Sequence, residues 1–86
     1  MKIGVAGTLE SNDALITVSE NESLEIYIES IVYEFFKDEI EKVIRDTLKE
    51  MHIDKIKVEI KDKGALDYTI KARLITAIKR MVKSNA

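Results

Sequence analysis

The chain has no cysteine, no proline and a single histidine, His52, among its 86 residues. Without cysteine there can be no disulfide, thiolate zinc site or thiol nucleophile, which is compatible with a reducing cytosol. No apolar run approaches the roughly 20 residues that span a bilayer, and the N-terminus has no signal-peptide pattern. The net charge of −2 gives no reason to expect nucleic acid or an anionic membrane as a partner. These absences argue against an autonomous enzyme and favour a cytoplasmic domain that carries a reactant.

Hydrophobic residues make up 45% of the sequence and charged residues 35%, which is typical of one small globular domain over residues 1–86. Apolar residues that alternate with polar ones predict strands, and apolar residues at helical spacing predict helices. The predicted strands lie at 2–9, 13–19, 23–30 and 55–61, and the predicted helices at 32–51 and 66–81.

Short polar turns separate the first three strands, so we expect them to form an antiparallel meander. The following strand–helix–strand unit should cross over right-handed. The expected fold class is α+β: a two-layer sandwich of order β-β-β-α-β-α, with both helices on one face of a mostly antiparallel sheet.

Polar residues mark the predicted helix ends. Ser30 is the predicted N-cap of the first helix and Asp62 that of the second. His52 is predicted to interact with the last carbonyl groups of the first helix rather than to act as an acid–base group. Three aromatic residues that open this helix are predicted to lie in the core or at its edge: Tyr33, Phe35 and Phe36.

The stretch 5–13 is the most informative, because it places one hydroxyl, that of Ser11, in a polar break between two apolar runs. Ordinary turn chemistry explains such a serine, since short polar side chains bond the local backbone. The same position also suits covalent attachment, because a hydroxyl at a loop tip is accessible to a modifying enzyme. No histidine is near in sequence, so Ser11 is not predicted to be a nucleophile of its own.

Two blocks of sequence resemble the acyl carrier (gamma) subunit of citrate lyase. One is Ala-Gly-Thr-Leu-Glu-Ser-Asn-Asp at residues 6–13, and the other runs from Asp62 to Leu74. The resemblance implies that Ser11 carries phosphoribosyl-dephospho-coenzyme A through a phosphodiester. It also implies three partners: an alpha (transferase) subunit, a beta (lyase) subunit and a prosthetic-group transferase. Citrate would be cleaved to acetate and oxaloacetate on those subunits, and this chain would contribute no catalytic residue and no metal ligand.

Ordinary acyl carrier proteins offer a rival interpretation, because they bear phosphopantetheine on a serine in an Asp-Ser-Leu motif at a helix start. Ser23 and Ser30 stand in loose imitations of that motif. Ser23 leads into a strand, and Ser30 follows a glutamate and a strand, whereas those carriers are helical bundles. We therefore interpret Ser23 as a strand residue and Ser30 as a helix cap.

The second block contains three cations, Lys63, Lys71 and Arg73, that could meet the phosphates of the prosthetic group or a partner subunit. A structural role for them is the alternative. A carrier subunit of citramalate lyase or malonate decarboxylase is also compatible with the sequence, because the catalytic subunits choose the substrate. A protein-interaction module without any attached group is the alternative from a different class.

Overall fold

The computed structural model of the chain describes residues 1–31 and 33–84, and residues 33–35 by their backbone alone. The elements follow in the order β1 (Ile3–Ala6), β2 (Ala14–Ser19), β3 (Leu24–Ser30), α1 (Tyr33–Glu50), β4 (Ile56–Asp62) and α2 (Asp67–Lys83). This order and the α+β class confirm the prediction. Over the described ranges, neither helix is long and apolar enough to cross a membrane.

The sheet has the strand order β1-β2-β4-β3, so the predicted meander of the first three strands is wrong. β4 lies between β2 and β3, pairing antiparallel with β2 and parallel with β3. A parallel neighbour needs a long connection, which α1 provides between β3 and β4. Two of the three pairings are antiparallel, which agrees with a mostly antiparallel sheet.

Both helices cover one face of the sheet. α2 packs on β1 and β2, while α1 packs on β3 and α2. The alternation in β2 and β4 produces this arrangement, because every second side chain points to the helices and is buried. The core consists mainly of aliphatic side chains from both layers, including Ile16, Val18, Ile44, Leu48, Val58, Ile60, Ile70, Leu74 and Ile78.

Several predicted positions differ in the structure. Phe36, expected in the core or at its edge, is 45% exposed, and Leu66, expected in the apolar stripe of the second helix, is 59% exposed. Both stand at the N-terminal ends of their helices, Phe36 in the first turn of α1 and Leu66 directly before α2. Val32 lies outside the described residues, and so do the side chains of Tyr33 and Phe35.

The predicted cap of the second helix is also misplaced. Asp62 is the last residue of β4 and accepts a hydrogen bond from the Ala65 amide at 2.9 Å, whereas the N-cap of α2 is Leu66. Ser30 ends β3 and donates its hydroxyl to Asp62 at 2.8 Å. The two residues therefore join β3 to the loop before α2. The N-cap of α1 lies outside the described residues, so Ser30 as the cap of that helix stays a prediction.

His52 ends α1 through its backbone. It adopts a positive φ of 58°, its N–H donates to Lys49 O, and the Ile53 N–H donates to Leu48 O. This is the Schellman pattern, in which a left-handed residue closes the helix and satisfies its last carbonyls. The predicted contact with the terminal carbonyls is therefore made by the amide of His52.

Candidate functional site

Ser11 lies at the tip of the turn between β1 and β2. The Asp13 N–H donates to Glu10 O at 3.2 Å, which closes a four-residue turn with Ser11 and Asn12 at its centre. Asn12 has a φ of 66°, and a type II turn needs such a residue, usually glycine or asparagine, at this position. The prediction of a turn at residues 10–13 is confirmed. Ser11 is exposed, and its hydroxyl makes no hydrogen bond to any other described residue.

The side chain of Asp13 anchors this turn to α2. Its two carboxylate oxygens accept from Nε and Nη2 of Arg73 at 2.9 and 3.1 Å, a bidentate arrangement that fixes distance and orientation together. The same carboxylate accepts from the Thr8 hydroxyl and from the Ala14 N–H, both at 2.8 Å. The Thr8 hydroxyl in turn accepts from the Glu10 N–H at 3.2 Å. The turn is thus held from both sides of Ser11.

This set of donors strongly favours the ionised form of Asp13. The Arg73 guanidinium is the largest cause, followed by the Thr8 hydroxyl and the Ala14 amide, and together they hold the pKa of Asp13 far below its usual range. Hydrogen bonds to a carboxylate lower its pKa because they are lost on protonation. Asp13 is therefore an anion at physiological pH and has no role as a proton donor.

A backbone connection brings together the two blocks that the sequence singles out. The Asn12 N–H donates to Lys63 O at 2.8 Å, and the Lys63 N–H donates to Asp13 O at 2.9 Å. These bonds continue the β2–β4 ladder into the turn. Gly7 completes the fit, because a Cβ at its φ of 95° would lie 1.8 Å from Ala14 O and 3.3 Å from Cδ of Arg73.

The three cations of the second block have different environments. Arg73 is engaged with Asp13, and the Lys71 ammonium lies 2.9 Å from Glu50. Lys63 is half-buried beside the turn, and its ammonium pairs with no acidic side chain in the part of the chain that the structure describes. Sequence reasoning found Arg73 but missed its partner, because the two residues are 60 positions apart.

Other candidate groups lie elsewhere. β4 separates His52, before its first residue, from Ser11, beside its last, by on the order of 20 Å. Ser30 is half-buried with its hydroxyl bonded to Asp62, and Ser23 directly precedes β3. Within residues 1–31 and 36–84 no group of acidic or histidine side chains could hold a metal ion. Ser11 thus presents an exposed hydroxyl on a firmly held turn.

Comparison with known proteins gives consistent matches. Residues 1–81 match the family described as "ACP: Malonate decarboxylase delta subunit (MdcD)". The chain is similar to the citrate lyase acyl carrier protein of Streptococcus mutans, with 49% identity over 78 residues, which cover 88% of this chain and 76% of the relative. It is also similar to the protein of that name from Treponema denticola, with 45% identity covering 88% of this chain and 87% of the relative.

A solved structure shares the fold. A chain in the crystal structure of a Pseudomonas malonate decarboxylase hetero-tetramer in complex with malonate superposes with a TM-score of 0.81. The match covers 93% of this chain and 84% of that chain at 15% sequence identity. At this identity the likeness concerns the fold alone.

Proposed function

This chain belongs to the family of citrate lyase acyl carrier proteins, and from that premise we propose that it is a non-catalytic carrier subunit with its prosthetic group on Ser11. The observation that carries the proposal is the exposed Ser11 hydroxyl on a turn fixed by the Asp13–Arg73 pair. Relatives at 40–49% identity bear the name citrate lyase acyl carrier protein. The proposed complex is therefore citrate lyase, with a transferase and a lyase subunit as partners, in the cytoplasm.

The proposed prosthetic group is phosphoribosyl-dephospho-coenzyme A, joined to Ser11 by a phosphodiester. The site fits such a group, because its hydroxyl is accessible and the neighbouring Lys63 ammonium can meet a phosphate. When bound, the group supplies a terminal thiol that carries acyl units. The residues of this chain hold the attachment point rigid and provide no acid, base or metal ligand. A tethered acyl unit has a high effective concentration at each partner site that the tether can reach.

Intact mass spectrometry tests the proposal. The chain is co-expressed with its modifying enzymes, and we expect a mass increment equal to the phosphoribosyl-dephospho-coenzyme A unit. Ser11→Ala should abolish the increment, while Ser30→Ala, which removes the rival attachment serine, should leave it intact. A smaller phosphopantetheine-sized increment that disappears with Ser30→Ala would contradict the proposal, and no increment under competent conditions would favour an interaction module.

Malonate decarboxylase is a second candidate complex, because the matching family carries that description. The two candidates share the carrier role and differ in the catalytic subunits. Turnover of the loaded chain with purified citrate lyase subunits, and separately with malonate decarboxylase subunits, distinguishes them. We expect turnover with the citrate lyase subunits, since those relatives have the higher identity. Turnover restricted to malonate decarboxylase subunits would reverse the assignment.

We expect charge reversal at Lys63, Lys71 and Arg73 to have different effects on the loading of Ser11. Of these, Lys63 is the one we expect to meet the phosphates, so Lys63→Glu should slow loading of Ser11. Lys71→Glu should have little effect, because the Lys71 ammonium is engaged with Glu50 at the end of α1 and makes no contact with the turn. Charge reversal at Arg73 should also impair loading, here through loss of the Asp13 contact. Unchanged loading in both Lys63→Glu and Arg73→Glu would remove these residues from the proposal.

A further inference from the structure

An apolar patch lies beside the turn that bears Ser11. It consists of Ile31, Phe36, Leu66 and Tyr68, which are 67%, 45%, 59% and 71% exposed. The last three line a groove of about 490 Å³ between the N-terminal ends of α1 and α2. A cluster of large exposed apolar side chains is costly in water, and such clusters often mark interaction sites.

Gly64 connects the patch to the turn. A Cβ built on Gly64 would lie 3.7 Å from Oδ1 of Asn12 and 3.9 Å from Cδ1 of Ile31, and Gly64 itself lines the groove. Asn12 directly follows Ser11 in the turn. The patch therefore forms a continuous surface with the attachment point, with no intervening element.

The hydrogen bonds that hold the turn in place determine how an enzyme can approach Ser11. The Asn12–Lys63 and Asp13–Arg73 bonds prevent the turn from extending away from the body of the protein. A serine side chain is short, and a general base must come within about 2.6–3.2 Å of its hydroxyl. An enzyme that modifies Ser11 therefore has to bring its surface down onto the residues that surround the turn.

The charged residues that line the groove indicate what kind of partner surface can bind there. Glu39 and Asp67 line the groove, and no lysine or arginine is among the described residues that do so. An anionic group, such as the phosphates of a prosthetic arm, is disfavoured there. An apolar contact surface bordered by lysine or arginine side chains is complementary to it.

We infer that this patch is the docking surface for the enzyme that transfers the prosthetic group onto Ser11. The inference rests on the proposed function, and it adds the surface through which the transferase recognises the carrier. The apolar side chains act as anchors, and the acidic rim orients a basic partner.

The test measures loading kinetics by intact mass, with purified transferase, its activated prosthetic-group precursor and increasing concentrations of apo carrier. We expect Leu66→Ser combined with Tyr68→Ser to raise the KM for the carrier at least about tenfold, with kcat within about twofold. Val82→Ser is the matched control, because Val82 is 60% exposed at the other end of α2. It should leave KM unchanged. All altered side chains are exposed, and circular dichroism verifies that each variant is folded.

A competition experiment measures docking without chemistry. Ser11→Ala carrier should inhibit loading of the wild-type carrier, and the same variant with Leu66→Ser and Tyr68→Ser should not. Equal inhibition by both, or an unchanged KM in the patch variant, would overturn the inference while leaving Ser11 attachment intact. Unchanged kinetics together with chemical-shift changes at the patch on loading would assign it to the prosthetic arm and also overturn the inference. Loading of Ser11→Ala itself would instead refute the proposed function.

Discussion

At the scale of single residues, Asp13 is the key to the candidate site. Its carboxylate joins the turn to α2 through Arg73 and to Thr8 in the segment that precedes the turn, and it is only 13% exposed. Each hydrogen bond to a partly buried charged group contributes more than a neutral one. The same atoms therefore position Ser11 and stabilise the fold.

The first prediction concerns Asp13→Asn, which keeps the size of the side chain and removes its charge. Near neutral pH we expect a loss of about 1–2 kcal/mol in the free energy of unfolding. The folded pKa of Asp13 is lowered, so its contribution is fully present above the unfolded pKa of about 3.9 and is lost as pH falls below it. Urea unfolding of both proteins across this range should show two stability curves that converge in acid.

Glu50→Gln provides the matched control for that experiment. Glu50 also pairs with a cation of α2, Lys71, but their side chains are 59% and 45% exposed. Exposed ion pairs contribute little, so this variant should follow the wild-type curve at every pH. A gap between wild type and Asp13→Asn that persisted at low pH would show that the charge of Asp13 is not the cause.

The second prediction compares two glycines with positive φ. Gly7→Ala should cost at least about 3 kcal/mol, because the added Cβ would lie 1.8 Å from a backbone oxygen in addition to the strain of the conformation. Gly64→Ala should cost only about 1–2 kcal/mol, since its Cβ would meet nothing closer than 3.7 Å. Thermal unfolding measures both. Equal destabilisation would mean that backbone strain alone decides the outcome at Gly7.

At the scale of secondary-structure elements, periodicity predicted all four strands and both helices but not which strands are neighbours. Alternation tells which side chains of a strand face the core, and that information is the same whether β3 pairs with β2 or with β4. The pairing is decided by α1, which returns the chain beside β3 and lets β4 insert between β2 and β3. The residues of the turn at 20–22 do not indicate which strand pairs with β3.

The candidate site was likewise predictable in part, where local sequence determines it, and not where tertiary packing does. Ser11 at a turn was predictable, because polar residues between two apolar runs specify a turn locally. The Asp13–Arg73 pair was not predictable, since it depends on the packing of α2 against β1 and β2. The prediction of Asp62 as a helix cap failed for a related reason. Its buried carboxylate at the end of a strand accepts hydrogen bonds from the nearest donors, Ser30 and Ala65, and not from the first amides of the helix that follows.

The third prediction tests that junction of elements. Asp62 is 2% exposed and accepts from the Ser30 hydroxyl and the Ala65 amide, so Asp62→Ala removes both of these hydrogen bonds. We expect a loss of about 2–3 kcal/mol, while Ser30→Ala, which removes the Ser30–Asp62 hydrogen bond, should cost at least about 1 kcal/mol. Because the two residues share a bond, the double variant should cost less than the sum. Strict additivity in urea unfolding would show that the bond contributes nothing.

At the scale of the whole molecule, the described residues separate into a buried aliphatic core and an edge that contains the candidate site. The core joins both helices to the sheet. Ser11, its anchors and the apolar patch all lie at the edge where β4 ends and α2 begins. Most core residues therefore stabilise the fold without being part of the candidate site, while Asp13 contributes to both. This separation suits a carrier, because its surface can bind partners without a change in its core.

The last prediction follows from that separation. Leu74 is fully buried, and Leu74→Ala should cost about 2–5 kcal/mol of a total stability on the order of 5–10 kcal/mol. The exposed Val82→Ala on the same helix should stay within about 0.5 kcal/mol of wild type. At a temperature where Leu74→Ala is still folded, its loading rate at Ser11 should equal that of wild type, since the turn keeps its contacts. Slower loading of the folded variant would mean that core packing and the attachment turn are coupled, and that the edge is not independent of the core.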